Sequence, residues 1–187
     1  MTYDLKVLEE GCAAYGIALT ETQKEQFIRY YELLVEWNKV MNLTGITELQ
    51  EVLTKHFLDT VIEELKLEGI YTVHGRAEDG ARKVEHREQY DLSVSRAVSR
   101  LAALCELCMP YVREGGYFIS YKSGKAQEEL TEASKAISVL GGKVKSAEDF
   151  QLYGTDMERT LVVIEKKKKT PKQYPRKAGT PTKEPIL

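Results

Sequence analysis

The sequence is poor in the residues that staple, anchor or cradle. It has three cysteines among 187 residues, and so small and odd a number excludes a disulfide framework. No apolar run approaches the roughly 18 residues that a membrane span needs. From Met1 to Ala18 the chain is interrupted by Asp4, Lys6, Glu9 and Glu10. That leaves no apolar core for a signal peptide, and a cytoplasmic location is expected. No two glycines stand one residue apart anywhere, and the only adjacent pairs are Gly115-Gly116 and Gly141-Gly142. Lys122-Ser123-Gly124-Lys125 is not a phosphate-binding loop either, because the preceding glycine spacing is missing. Neither a nucleophile triad nor a carboxylate pair stands out.

Cys105 and Cys108 form a CxxC. A zinc site would need two more ligands at matching spacing, and only Cys12 and three scattered histidines remain. The pair falls inside the helical pattern Leu101, Leu104, Cys105, Cys108, Met109, where cysteine behaves as a small core hydrophobe. Core is the expected role, and no metal is expected.

What is present is a globular composition, 42% hydrophobic and 30% charged, in a length suited to one compact domain plus a small accessory layer. The net charge of −2 hides an asymmetry. From Lys166 onward there are eight basic residues and one acid, Glu184, a balance of +7, so the rest of the chain carries −9. An acidic body with a basic tail suits contact with a polyanion.

The first third reads as helices. Leu5, Leu8, Cys12 and Tyr15 recur at helical spacing. Thr20 and Gln23 form a capping-box pattern opening a helix to about Trp37, with Phe27, Tyr31, Leu34 and Val35 on one face. A loop is expected from Asn38 to Glu48 and a third helix from Leu49 to Leu65. After Gly69 strand-like runs appear at Ile70 to His74, Tyr90 to Ser95, Gly116 to Tyr121 and Thr160 to Glu165, with a weaker one near Lys143 to Leu152. Helices are expected at Val98 to about Met109, stopped by Pro110, and at Ala126 to Leu140, stopped by Gly141-Gly142. The alternation is that of a doubly wound α/β sheet with an antiparallel pair at its edge. The domains expected are a helical layer at 1–66, an incomplete Rossmann-like domain at 67–166 and a basic tail at 167–187. That tail holds four of the five prolines, so no helix is expected in it. Its cations suit phosphates and Tyr174 offers a stacking face, although a solvated tail without a partner reads equally well.

Several stretches together resemble the RsmG (GidB) family of bacterial enzymes. They are Trp37-Asn38 through Asn42-Leu43-Thr44 with Lys55-His56-Phe57-Leu58-Asp59; His74-Gly75-Arg76-Ala77-Glu78-Asp79; Tyr90-Asp91 with Ser95-Arg96-Ala97-Val98; and, in the tail, Thr170-Pro171, Tyr174-Pro175-Arg176-Lys177 and Gly179-Thr180-Pro181. The resemblance implies a class I methyltransferase fold, S-adenosylmethionine as cofactor, and methylation of guanine N7 in 16S ribosomal RNA of the small subunit. It carries cofactor contacts onto Ala77, Glu78 and Arg96, and RNA contacts onto Lys55, His56, Arg176 and Lys177; Lys122, which follows a strand end, is placed to meet phosphate as well. Each has a plainer reading: Glu78 as a solvated loop carboxylate, Arg96 as a partner of Asp79 or Asp91, His56 as a packed or solvated side chain. Guanine N7 has an exposed lone pair, so methyl transfer there asks for alignment rather than a general base.

The chain also departs from the family. Between Asp59 and Gly75 the family has an aspartate-led, glycine-rich turn with its flanking strands and helix. Here Phe57-Leu58-Asp59-Thr60 runs straight into Val61-Ile62-Glu63-Glu64-Leu65. A βαβ unit takes roughly 30 residues or more, and the shortfall is about fifty. An adenosyl ligand needs close backbone approach at a strand-to-helix turn and an acid for its ribose, and both belong to the missing unit. Strand 70–74 is then expected to pair directly with strand 90–95. A non-catalytic protein of the same descent that binds RNA or the ribosome is the alternative reading, and a poorly folding deletion product a third.

Overall fold

The computed structural model describes residues 3–14, 16–41, 65–96, 99–123, 126–151 and 156–187. The chain divides into two units, Met1–His74 and Gly75–Leu187. No helix among the described residues is long and apolar enough to cross a membrane.

In the first unit, α1 (Lys6–Ala14) and α2 (Glu21–Met41) appear where the periodicity places them. The capping box forms in full. Gln23 N donates to Thr20 Oγ1 and Thr20 N donates to Gln23 Oε1, so two otherwise orphaned donors are satisfied. The helix runs four residues beyond Trp37 into the expected loop. Among its described side chains Leu33 is buried, set against Leu65 and Leu67, while Phe27 and Tyr31 of the expected face are exposed. The expected third helix lies almost wholly outside the described residues. Residues 70–74 correct the reading: they form no strand and join no ladder. Ile70, Tyr71 and Val73 are all exposed, so an extended run there has no buried face, and it joins no strand ladder among the described residues.

The second unit is a mixed α/β structure. After the single helical turn α3 (Ala77–Gly80) come β1 (Tyr90–Arg96), α4 (Leu101–Cys108), a 3-10 turn at Met109–Tyr111 and β2 (Val112–Ser123). They are followed by α5 (Ala126–Val139), β3 (Gly142–Gln151), β4 (Glu158–Lys166) and a short α6 (Thr180–Lys183). The sheet order is β1-β2-β4-β3. β1 and β2 are parallel, joined through α4, and β4 runs antiparallel to both β2 and β3. The antiparallel pair at the edge is therefore as expected. β1 and β2 approach closely at Gly116, where a Cβ would press on the Asp91 carbonyl.

The core follows from alternation in β2 and β4 meeting the apolar stripes of α4 and α5. Phe118, Val162 and Ile164 point into it from the sheet, and Leu101, Leu104, Cys105, Met109, Ala133, Ile137 and Leu140 from the helices. Cys105 is fully buried and Cys108 packs against the cluster, which is the core role expected of them. Burial pushes the Cys108 thiol up to about 11.

The last twenty residues are not a loose strand. Thr170, Pro175 and Pro181 are buried against the domain. The one helical turn, at Thr180–Lys183, begins around Pro181 in the first turn, where proline's missing N–H costs nothing.

Candidate functional site

Of the six expected site residues that can be located, Ala77, Glu78 and the segment carrying Arg176 and Lys177 lie toward the start of the parallel strands, and Arg96 and Lys122 lie together at their other end. Lys55 and His56 lie outside the described residues.

At the amino-terminal end of the parallel strands, α3 presents Ala77 and Glu78. The Tyr111 hydroxyl donates to the Ala77 carbonyl at 2.7 Å, tying α3 to the turn from which β2 starts. Glycine at position 80 leaves room for that same hydroxyl, which a Cβ would displace. Burial pushes the Tyr111 phenol above its ordinary value, with Tyr90, Cys108 and Glu78 adding to the shift. The rings of His86, Tyr90 and Tyr111 cluster around it, and His86 Nδ1 lies 2.7 Å from the Tyr90 hydroxyl. Glu78 is only 6% exposed, and its Oε1 accepts the Gly179 N–H at 2.7 Å. Its carboxylate is thus turned toward the C-terminal segment.

That segment is held by buried polar groups. Glu106, the lone charge of the octet Leu101–Cys108, is fully buried. It accepts from Arg176 N at 2.6 Å, from Arg176 Nε at 3.0 Å and from Arg176 Nη2 at 2.7 Å. Three charge-assisted bonds are what a carboxylate needs to be tolerated there. Arg87 donates to the carbonyls of Thr170 and Tyr174, both at 2.9 Å, and Arg82 to that of Pro175 at 2.5 Å. Lys166 is also buried, with Nζ donating to the Met109 carbonyl and Thr170 Oγ1, both at 2.7 Å, and Glu88 Oε1 at 3.2 Å. Burial lowers the pKa of Lys166, and the Glu88 charge opposes the shift.

At the other end of β1 the chemistry differs. Arg96 closes the strand opposite Tyr121, is exposed, and has no hydrogen-bond or ion-pair partner among the described residues. The expected alternatives do not form: Asp91 is bound by Arg113, and Asp79 lies in α3, toward the other end of β1. Lys122 is 7% exposed; its Nζ donates to the Ser99 carbonyl at 2.6 Å and pairs with Glu129 at 2.7 Å. Glu129 in turn accepts the Leu101 N–H at 2.7 Å, capping α4 from α5. Lys122 therefore fastens the turn from β1 into α4.

Ala77 and Glu78 thus lie near the start of β1, and Arg96 at its end. Seven residues of strand separate them by about 20 Å, further than one nucleoside spans. The structure does not bring the three together, and they do not fit an adenosyl group as a single site. Of the expected RNA contacts, Lys122 and Arg176 have their charges satisfied internally, whereas Lys177 is exposed. Sequence reasoning missed Glu106, Glu129, Glu88 and Tyr111 as the groups that hold these elements. For Glu106 a signal existed, since a single acid in an otherwise apolar helical stretch must be paired if that stretch is core.

A β-α-β crossover joined to an antiparallel edge pair defines a mixed α/β protein. The family model described as "rRNA small subunit methyltransferase G" (GidB) matches residues 23–62 and 57–162, and the chain belongs to that family. Among curated relatives, the ribosomal RNA small subunit methyltransferase G of Lachnoclostridium phytofermentans is 43% identical over 231 residues, covering 95% of this chain and 96% of the relative. Those of Brevibacillus brevis and Staphylococcus carnosus are each 40% identical, covering 95% and 96% of this chain and 97% and 98% of theirs. Of solved structures, M. jannaschii TYW2 in complex with AdoMet overlaps 59% of this chain and 52% of its own, at 17% identity and a TM-score of 0.43. Ninety-five per cent of 187 residues is about 178, so about 53 of the 231 positions aligned with the first relative have no counterpart here. The two stretches matched by the family model meet at residues 57–62.

Proposed function

We propose that this chain acts on the RNA of the small ribosomal subunit in the cytoplasm, within the reaction class of its family, S-adenosylmethionine-dependent methylation of guanine N7 in 16S ribosomal RNA. The observation that carries this is the likeness to ribosomal RNA methyltransferases along 95% of the chain at 43% identity. The exposed lysines of the C-terminal segment, Lys172 and Lys177 among them, supply phosphate contacts, since their charges face solvent while Glu106 and Glu78 beneath the segment are bound to Arg176 and Gly179. Replacing both with alanine is expected to flatten the salt dependence of binding to a 16S fragment by about 0.7 per lost contact in log–log slope. An unchanged slope would remove this segment from the interface.

A second reading, binding of that RNA without methyl transfer, is favoured by the placement of Ala77 and Glu78 at the opposite end of β1 from Arg96. The glycine-rich turn absent between Asp59 and Gly75 points the same way. Calorimetric titration of the full chain with S-adenosylmethionine decides between the two. Absence of saturable heat supports binding without transfer, and saturable micromolar binding establishes the first reading and returns the cofactor to this chain.

A further inference from the structure

The sheet ends in two edges that are finished differently. β3 carries Lys143, Lys145, Glu148 and Asp149, and its ladder to β4 shifts register between Val144 and Ser146. Charges and irregularities are how natural sheets keep an edge from pairing further. β1 is irregular only at its start, between Tyr90 and Leu92, and from Leu92 to Arg96 its register with β2 is unbroken. Its charged residues are Asp91 and Arg96, and Asp91 is already bound by Arg113. Its outer side has no ladder partner among the described residues. Leu92 and Val94 are 50% and 62% exposed, in a position that a sheet of this class normally buries.

The geometry points to a second copy of this chain as the occupant of that edge, paired β1 to β1 in antiparallel fashion. The strand is self-complementary in a way that selects the register. Overlapping all seven residues sets Tyr90 opposite Arg96 of the other copy and Ser93 opposite its own equivalent. Because the first and last residues point to the same face of the sheet, every like face then meets its like. Leu92 lies across from Val94 of the second copy, an aliphatic cross-strand pair made twice by the two-fold axis. Arg96, free of any partner among the described residues, lies across from the Tyr90 ring of the second copy, where a guanidinium is favoured. A slip by one residue would put Leu92 against Ser95 and lose all of these. The pairing is isologous, so it closes as a dimer.

Sedimentation equilibrium of the full chain over a wide concentration range tests this. The expected result is a reversible rise from 21.3 kDa toward twice that mass. Leu92→Lys and Val94→Glu are each expected to weaken dimerisation by at least about tenfold, from the penalty of a charge facing an aliphatic group. Combining them is expected to restore it, since each introduced charge then faces the opposite one on the second copy. Rescue also separates a lost contact from a lost fold, because a misfolded variant is not repaired by a further charge. A chain that stays monomeric throughout, open-ended assembly, or a dimer indifferent to both single substitutions would each overturn the inference. The test does not depend on cofactor or RNA binding.

Discussion

The C-terminal segment and β1 belong to the same unit but are held in opposite ways. The segment after β4 has almost no regular structure, yet its backbone is gripped at Thr170, Tyr174, Pro175, Arg176 and Gly179 by side chains from the rest of the domain. β1 keeps a regular register with β2 from Leu92 to Arg96, yet its outer side has no ladder partner among the described residues, and its apolar residues Leu92 and Val94 are open. Regularity and attachment are separate properties. A ladder to one neighbour makes a strand, and a few buried charge-assisted bonds can fix a segment that has no ladder at all.

That contrast can be broken by substitution, with effects that differ in size. The largest is expected from Arg176→Ala, which leaves Glu106 buried without its partner and costs about 3–5 kcal/mol in urea unfolding. A loss below about 1 kcal/mol would mean that the segment is attached elsewhere. Gly80→Ala is expected to cost about 1–3 kcal/mol, because the Tyr111 hydroxyl occupies the space and must shift from the turn that receives Gly179. Val94→Thr, on the exposed face of β1, is expected to change monomer stability by less than about 0.5 kcal/mol. Measured at a concentration where the chain is monomeric, a larger loss would show that β1 is covered within its own copy.

Much of the second unit was readable in advance. Period-two alternation in residues 160–165 and 116–121, and the stripe Leu130, Ala133, Ile137, Leu140, were enough to locate β2, β4, α5 and most of the core. The family too was readable, because its motifs occur in order along the chain. Residues 70–74 misled because β-branched and aromatic residues favour a strand only where a neighbouring strand exists to pair with. The C-terminal segment misled for the converse reason. Its prolines and lysines describe the local chain, while its attachment depends on Glu106, Glu78 and Arg87, which lie 70 to 101 residues away for the first two and are invisible to any local window. The candidate site was the least readable, because convergence of Ala77, Glu78 and Arg96 is a property of the sheet and not of the motifs.

The bond from Arg176 to Glu106 also imposes an order in time. A ribosome releases the chain from its amino end, so Glu106 emerges, with α4 and β1, well before the residue that neutralises it. Until Arg176 is free the carboxylate must remain hydrated, and α4 cannot sink fully into its place. Completion of this domain therefore waits on a residue made 70 positions after the carboxylate it neutralises.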